Sequence, residues 1–284
     1  MSSFRLTGRA LVVVTAAFAM LTGADAERGA LVAQGKLDAR YTVTLAGLPI
    51  GRGAWVIDIG EDSFTASASG ATSGLLQVFA SGHGQSASRG SMVGGQPLPA
   101  SFASHIVNDQ KTDDVRMVIS SGTVKEFRVD PPTVTGPDRV PVTEAHRRGI
   151  ADPMTASLMR VPGHGDPLAP AACQRTLAIF DGRMRYEVKL DFKRMEAVKA
   201  DKGYRGPAVV CAAYFTPVAG YIPDRPVIKY LSAQRDIEIT FAPIAGTRVL
   251  VPFRFRIPTP LGMAMLEASQ FITQASPPRV AKTQ

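Results

Sequence analysis

The sequence is poor in the residues that most often carry covalent chemistry or bind metals. Only two cysteines, four histidines and one tryptophan occur in 284 residues. There is no C-x-x-C or H-E-x-x-H motif and no G-x-S-x-G elbow, and the glycines of SGHGQS and VGGQP lack the lysine or helix start of a phosphate loop. We therefore expect no catalytic residues, no cofactor and no metal at the four histidines, which are His83, His105, His146 and His164.

Long hydrophobic runs are scarce as well. The apolar run Ala10–Leu21 has 12 residues, and a membrane helix needs roughly 20. Arg5 and Arg9 precede this run and Ala24-Asp25-Ala26 follows it, a pattern that predicts a cleavable secretory signal peptide over residues 1–26. LTGA has alanine where a lipoprotein signal has cysteine, so we expect an exported, periplasmic protein without a lipid anchor.

The two cysteines are then expected to form a disulfide. An even number of cysteines in an oxidising compartment is by default paired. Cys173 and Cys211 would close a loop of 37 residues. The alternative, two free or reactive thiols, stays open, although no histidine follows Cys173 to act as a base.

The segment after Cys173 has the pattern of a β-hairpin. From Met184 to Phe192 apolar residues alternate with charged ones, which predicts a strand with one buried face. TLAIF precedes it, so Asp181-Gly182 is predicted to be a two-residue turn with positive φ at both positions. Asp181 is interpreted as a turn residue rather than a general acid.

The same alternation recurs along the chain and indicates an all-β protein. We predict a single large antiparallel sheet curled into an incomplete or closed β-barrel. Short helices are predicted at Ser73–Ala80 and after Asp152, and Pro131–Ile150 is predicted to be a lid or mobile linker. Further strands are predicted at 41–45, 54–59, 64–69, 83–92, 100–108, 115–120, 124–129, 208–215, 236–241, 249–257 and 263–271.

Length and charge set the domain organisation and the expected partners. Residues 27–273 are predicted to form one domain, and the polar residues 274–284 a disordered tail. The net charge of +8 indicates contact with lipid headgroups, lipopolysaccharide or anionic polymers rather than nucleic acid, including peripheral contact with a membrane. The alternative is that this charge only keeps the protein soluble.

Several motifs in order carry a resemblance to a known family. They are YTVTLAGLPIGRGAWVIDI, ATSGLLQVFASGHGQSAS, DPMTASLM, C-x-x-x-x-x-x-F-D-G-R-x-R-Y, Y-x-G-P-A-x-x-C and F-x-P-I-A-G-T-R-V-L-V-P-F-R-F-R-I-P-T-P-L-G. This series resembles the domain of unknown function (DUF) 3108 family over nearly the whole chain after residue 26. The resemblance implies an exported bacterial protein whose fold is similar to the incomplete β-barrels of the periplasmic lipoprotein carrier and receptor. It implies no catalytic residues.

The residues and the resemblance together favour a non-enzymatic carrier or binding protein. We expect a lipid or another hydrophobic ligand on the concave side of the sheet. The hypothetical lining residues are Trp55, Leu75, Leu76 and Phe79, although the same residues could simply fill a core. A structural or interaction protein of the cell envelope, with an envelope protein as partner, is the alternative, and a hydrolase of envelope polymers comes third. The sequence predicts no oligomeric state.

Overall fold

The computed structural model describes residues 34–73, 82–109 and 111–276. Fifteen strands form most of this part of the chain. They are β1 Gly35–Leu45, β2 Leu48–Ile59, β3 Ser63–Thr72, β4 Gly82–Val93, β5 Gln96–Asn108, β6 Lys111–Ser120, β7 Thr123–Asp130, β8 Met159–Arg160, β9 Arg175–Phe180, β10 Arg185–Lys199, β11 Lys202–Gly203, β12 Arg205–Ala219, β13 Glu238–Pro243, β14 Val249–Thr259 and β15 Gly262–Ala275.

The strands belong to one large, mainly antiparallel sheet, which confirms the predicted fold class. Its order is β7-β6-β5-β4-β3-β2-β1-β15-β14-β13-β12-β10-β9, with β8 beside β14 and β11 beside β15. The two ends of this order, β7 and β9, share no hydrogen-bonded ladder in the described residues. The sheet nevertheless curls, since the rings of Phe127 on β7 and Phe180 on β9 lie 6.4 Å apart. The result is a β-barrel-like sheet that hydrogen bonds do not close.

The segment between β7 and β9 occupies the gap in the sheet. It contains a 3-10 helix at Glu144–Arg147, the α-helix α1 at Pro153–Ala156 and a second 3-10 helix at Pro170–Cys173. The amide of Gly220 donates to the carbonyl of Val140 at 2.8 Å, and the amide of Ile150 donates to Gly122 at 3.0 Å. These bonds join Pro131–Ile150 to both sides of the gap, so this segment is bonded to the sheet rather than being a free linker.

The predicted turn at Asp181-Gly182 is longer than expected. Arg185 pairs with Phe180, so four residues connect β9 and β10. Only Gly182 has a positive φ, at 97°. The Asp181 carboxylate accepts hydrogen bonds from the amides of Arg183 and Met184 at 2.8 and 2.7 Å, and this side-chain turn replaces the two-residue turn. Asp181 is a turn residue, as predicted.

The alternation predicted for β10 holds only in part. Leu190 is fully buried, but Arg185 is also buried and the side chain of Phe192 is 38% exposed. A bulge between Phe192 and Arg194 shifts the register against β12, and residues beyond a bulge change faces. A period-two pattern in the sequence cannot reveal this shift.

Helix α1 forms where the sequence predicted it, whereas the helix at Ser73–Ala80 falls mainly on residues outside the described part of the chain. The Asp152 carboxylate caps α1 by accepting from the amides of Met154 and Thr155. A second α-helix, α2 at Pro226–Ala233, was not predicted from the sequence. At the C-terminus, β15 extends to Ala275, two residues into the predicted tail, and residues 277–284 lie outside the described residues.

The inner face of the sheet is defined by the side chains that form the main core. On β1 to β7 these are Leu37, Ala39, Tyr41, Trp55, Ile57, Ile59, Phe64, Ala66, Phe102, Val115, Met117, Ile119 and Val124. A second buried cluster surrounds the two cysteines and includes Leu190, Val209, Phe241 and Leu250. The cysteines form the expected disulfide, with their Cα atoms 5.5 Å apart.

Glu238 on β13 is the centre of a charged network and supports a prediction about acid stability. Its side chain is buried and lies 2.6 Å from Lys193, 2.9 Å from Arg194 and 3.4 Å from Arg256. Hydrogen bonding by Arg194, opposed by burial and helped by Lys193, lowers the pKa of Glu238 to about 2. Because the folded-state pKa lies below the unfolded value, the network stabilises the fold above the ordinary pKa of glutamate and loses this effect as pH falls toward 2.

We expect Glu238→Gln to lower the free energy of unfolding at pH 7 by about 2 kcal/mol, less than the full pKa shift because the cations are partly exposed. The control is Glu267→Gln, since Glu267 forms one ion pair, with Arg254 at 3.1 Å, and should cost about 0.5 kcal/mol or less. Urea unfolding at pH 7 and pH 2.5 measures both. Equal losses for Glu238→Gln at the two pH values would show that the carboxylate does not stabilise the fold as an ion.

Candidate ligand-binding groove

The four residues proposed from the sequence to line a ligand site do not come together in the described structure. Trp55 lies on the inner face and is buried in the main core, with 8% of its surface exposed. Leu75, Leu76 and Phe79 lie outside the described residues. Other residues of the inner face form a candidate site next to Trp55.

A row of glycines crosses three neighbouring strands on this face. Gly53 on β2 pairs with Gly70 on β3, and Gly70 pairs with Gly84 on β4. Residues directly opposite each other on antiparallel strands project to the same side, and Gly53 is also paired with Tyr41, a residue of the main core. The three glycines therefore belong to the inner face, and they leave its backbone bare where the neighbouring row carries Trp55 and Ala68.

Neither backbone conformation nor packing requires glycine at the middle of this row. All three residues lie outside the left-handed region of φ. A Cβ atom added at Gly70 would meet only the carbonyl oxygen of Arg52, at 3.5 Å, which is ordinary van der Waals contact. At Gly90, by contrast, an added Cβ would lie 1.9 Å from the carbonyl oxygen of Leu98. Gly90 is explained by a close backbone approach, whereas Gly70 faces open space.

Glycine lowers the stability of a strand, so three glycines in one row point to a functional role. It destabilises a strand by roughly 0.5–1 kcal/mol relative to alanine, because the unfolded chain is more flexible and no side chain packs. Glycine within a strand often marks a place where a ligand or another backbone approaches closely. Three glycines lie side by side here, and neither backbone conformation nor packing requires glycine at Gly70. This arrangement indicates a surface on which a ligand or another chain can lie close to the backbone.

The row forms part of the floor of an open, mainly apolar groove of about 540 Å³. This volume is within the range of small-molecule sites, about 300–1,000 Å³. Thr72 and Gly82, where β3 ends and β4 begins, lie at one end. The inner-face side chains that line the groove are Val43, Ala68, Thr72, Ser86, Ile106, Asn108 and Leu266.

The polar groups beside the groove are largely bonded to one another. The hydroxyl of Ser86 donates to that of Ser104 at 2.9 Å, so the two satisfy each other on the inner face. Ile106, directly opposite Gly84, is 48% exposed although it lies on the inner face. The exposed apolar side chain and the paired hydroxyls together favour an apolar ligand over a charged one.

In the adjoining part of the inner face, a buried carboxylate joins helix α1 to strand β4. Asp152 is fully buried, and its second carboxylate oxygen accepts from the hydroxyls of Thr155 at 2.6 Å and Ser88 at 3.0 Å. Burial raises the pKa of Asp152 above its ordinary value, and the donated hydrogen bonds oppose this rise. Because Ser88 projects from β4, the cluster ties α1 to the sheet, and all its donors serve this structural contact.

The described residues contain neither a metal-binding cluster nor a membrane-spanning helix. Within the ranges 34–73, 82–109 and 111–276, no three His, Cys, Asp or Glu side chains are placed to hold a metal ion. In the same ranges, no helix is long and apolar enough to cross a membrane.

The chain is similar to one protein family and to a solved structure. A family model described as "Protein of unknown function (DUF3108)" matches residues 40–269. Among solved structures, the chain is similar to a β-barrel-like protein of the domain of unknown function DUF1849 from Brucella abortus. The two share 10% identity with a TM-score of 0.44, over 86% of this chain and 98% of that one. No curated protein matches the chain.

Proposed function

The chain belongs to the DUF3108 family of proteins of unknown function, and from that premise we propose that it is a non-enzymatic carrier or binding protein for an apolar ligand. The ligand is the acyl chain of a lipid or a molecule of similar shape, and it lies along the glycine-lined groove of the inner face. The observation that carries this proposal is the row Gly53, Gly70 and Gly84, which exposes flat backbone between apolar side chains.

The chemistry of the groove suits a flexible hydrocarbon chain. Burying each methylene group of the ligand is worth about 0.8 kcal/mol. A groove floor without side chains lets the hydrocarbon chain of the ligand lie close to the protein backbone. Apolar side chains, Val43, Ile106 and Leu266, stand along the groove and supply the remaining contacts. We further propose that the protein is exported to the periplasm, where lipids of the envelope are at hand, on the basis of the signal-like residues 1–26.

The test is titration of the purified protein with a fluorescent fatty acid, such as a stearate that carries a dye near its methyl end. Gly70→Leu places a side chain in the groove, and it should weaken binding at least about tenfold. The matched control is Ser67→Leu, because Ser67 lies on the same strand, projects to the opposite, exposed face and does not line the groove. It should bind the probe within about twofold of the wild type.

Stability distinguishes a blocked groove from a damaged fold. Since an added Cβ at Gly70 makes only ordinary van der Waals contact and glycine itself destabilises a strand, Gly70→Leu should not lower the free energy of unfolding by more than about 0.5 kcal/mol. Equal binding by Gly70→Leu and Ser67→Leu, or no saturable binding by the wild type, would contradict the proposed function.

A further inference from the structure

A second cavity lies in the gap between the two ends of the sheet. It has a volume of about 380 Å³. Phe127 of β7 forms one wall, Phe180 and Arg183 of the β9–β10 hairpin form another, and the segment that follows β7 covers it with Val142 and Arg147. None of its lining residues lines the glycine groove. The cavity is thus a separate feature, built from β7 with the segment that follows it, from the β9–β10 hairpin and from Gly220 after β12.

Its lining is cationic. Arg139, Arg147 and Arg183 all line the cavity, and no aspartate or glutamate does. Arg183 has a carboxylate partner outside the lining, Asp113, at 3.2 Å. Arg147 pairs with Glu144 at 2.9 Å, but the side chain of Glu144 is 75% exposed, so this pair is well solvated.

Arg139 makes no ion pair with any described residue. It donates to the backbone carbonyl oxygens of Val134 and Gly220, which hold it in place without neutralising it. The three guanidinium groups line the cavity itself, whereas the neighbouring carboxylates, Asp113, Glu144 and Asp181, lie outside its lining.

Two of these arginines also have unused donors. The Nε atoms of Arg147 and Arg183 are buried and have no hydrogen-bond partner among the described residues. Buried donors are normally satisfied, because an unmade hydrogen bond costs the whole desolvation of the group. The unused donors of two arginines in one cationic cavity point to an acceptor that comes from outside the chain.

The remaining walls are apolar and aromatic. The guanidinium of Arg147 lies over the ring of Phe127, with its carbon 4.3 Å from the ring centre, and Phe180 packs edge-on against the same ring. Val129 and Val142 add aliphatic surface. A fitting ligand therefore has a compact apolar body and one anionic group.

We propose that this cavity binds a small organic carboxylate, with its aromatic or branched body against Phe127 and Phe180 and its carboxylate facing the arginines. Guanidinium groups match the two oxygens of a carboxylate better than a lysine does, since they donate in a planar fork. The volume is near the lower end of ligand sites, about 300–1,000 Å³, so it suits a molecule of one or two rings rather than a lipid.

Isothermal titration calorimetry with 2-naphthoate, on the full chain, tests this site. The neutral analogue 2-naphthalenemethanol has the same rings without the charge and should bind at least about tenfold more weakly. Arg147→Gln should weaken the binding of 2-naphthoate by at least about tenfold. The matched control is Arg148→Gln, which removes the same charge from the next, exposed residue outside the cavity and should bind within about twofold.

A second variant keeps the test independent of the ion pair of Arg147. Thr135 is exposed and lines the cavity, so Thr135→Trp should fill it and abolish 2-naphthoate binding while the protein stays folded. Equal affinity of Arg147→Gln and Arg148→Gln, or equal affinity for the neutral analogue, would overturn the proposal, as would no binding by the wild type at millimolar ligand. Gly70→Leu should leave 2-naphthoate binding unchanged. The proposal for this cavity and the proposal for the glycine-lined groove can therefore be contradicted independently of each other.

Discussion

Replacing both cysteines with alanine is expected to lower the free energy of unfolding by about 4 kcal/mol. Cys173 and Cys211 close a loop whose ends are 38 residues apart, and restricting the unfolded chain by a loop of this length is worth about 4 kcal/mol in the chain-entropy model. Both residues are fully buried in the second apolar cluster, so alanine avoids placing a hydroxyl there. Urea unfolding of the double variant, Cys173→Ala with Cys211→Ala, measures the loss.

The control for this prediction is the wild type with its disulfide reduced before unfolding. It should lose about as much stability as the double variant, since the same restriction of the unfolded chain is removed. Binding at the groove should be unchanged in the variant at temperatures where it is folded, because neither cysteine lines the groove. Identical urea midpoints for the oxidised wild type and the double variant would contradict the account.

Asp152→Ala is expected to lower the free energy of unfolding by about 3 kcal/mol. The change removes the acceptor of the two capping amides of α1, worth about 1 kcal/mol, and leaves two buried hydroxyls without their carboxylate acceptor, worth about 1–3 kcal/mol. Ser88 and Thr155 are the hydroxyl donors, and both are buried. Urea unfolding followed by far-ultraviolet circular dichroism is the measurement.

Asp152→Asn is the matched control, because the amide keeps a carbonyl oxygen for the amides of Met154 and Thr155. We expect it to lose about 1 kcal/mol, since at most part of the hydroxyl contact survives. If alanine and asparagine were equally destabilising, the backbone cap would not contribute, and if neither had an effect, α1 would not be held to the sheet by this cluster.

The strands could be predicted from the sequence because their alternation is local. Segments such as Phe64–Ser69 and Val249–Ile257 were placed within strands β3 and β14, since a half-buried strand shows its period in its own residues. The bulge after Phe192 could not be predicted in this way. A bulge depends on the register against the partner strand, and that register is set by contacts distant in sequence.

The helix α1 and the disulfide were also predictable, each from a short signal. Asp152 followed by Pro153 is a helix start in three residues, and two cysteines leave one pairing. Helix α2 was missed although Pro226 stands at its first position. Its eight residues are partly or fully exposed and carry no long apolar stripe, so the sequence pattern around it resembles a loop.

The candidate sites were the least predictable part. Trp55 was proposed as lining because it lies on the apolar face of a predicted strand, but it fills the core beside the groove. The glycines that form the groove floor are spread over β2, β3 and β4, and their alignment appears only when the strands pair. The sequence did contain one signal, which is glycine within otherwise regular strand patterns. Glycine at such positions often marks a site where a ligand or another backbone approaches closely. The arginine cavity gave no such signal, because its three cations are up to 44 residues apart and meet only in the gap of the sheet.

Native mass spectrometry tests the central claim most directly. The protein is purified from the envelope fraction of cells that make it naturally, its mass is measured intact, and the molecules released on denaturation are identified. The account predicts a stoichiometric apolar molecule with an acyl chain on the wild type and on Ser67→Leu, and none on Gly70→Leu. A wild-type protein without bound lipid, or the same molecule on Gly70→Leu in equal amount, would contradict the claim that the glycine-lined groove holds an apolar ligand.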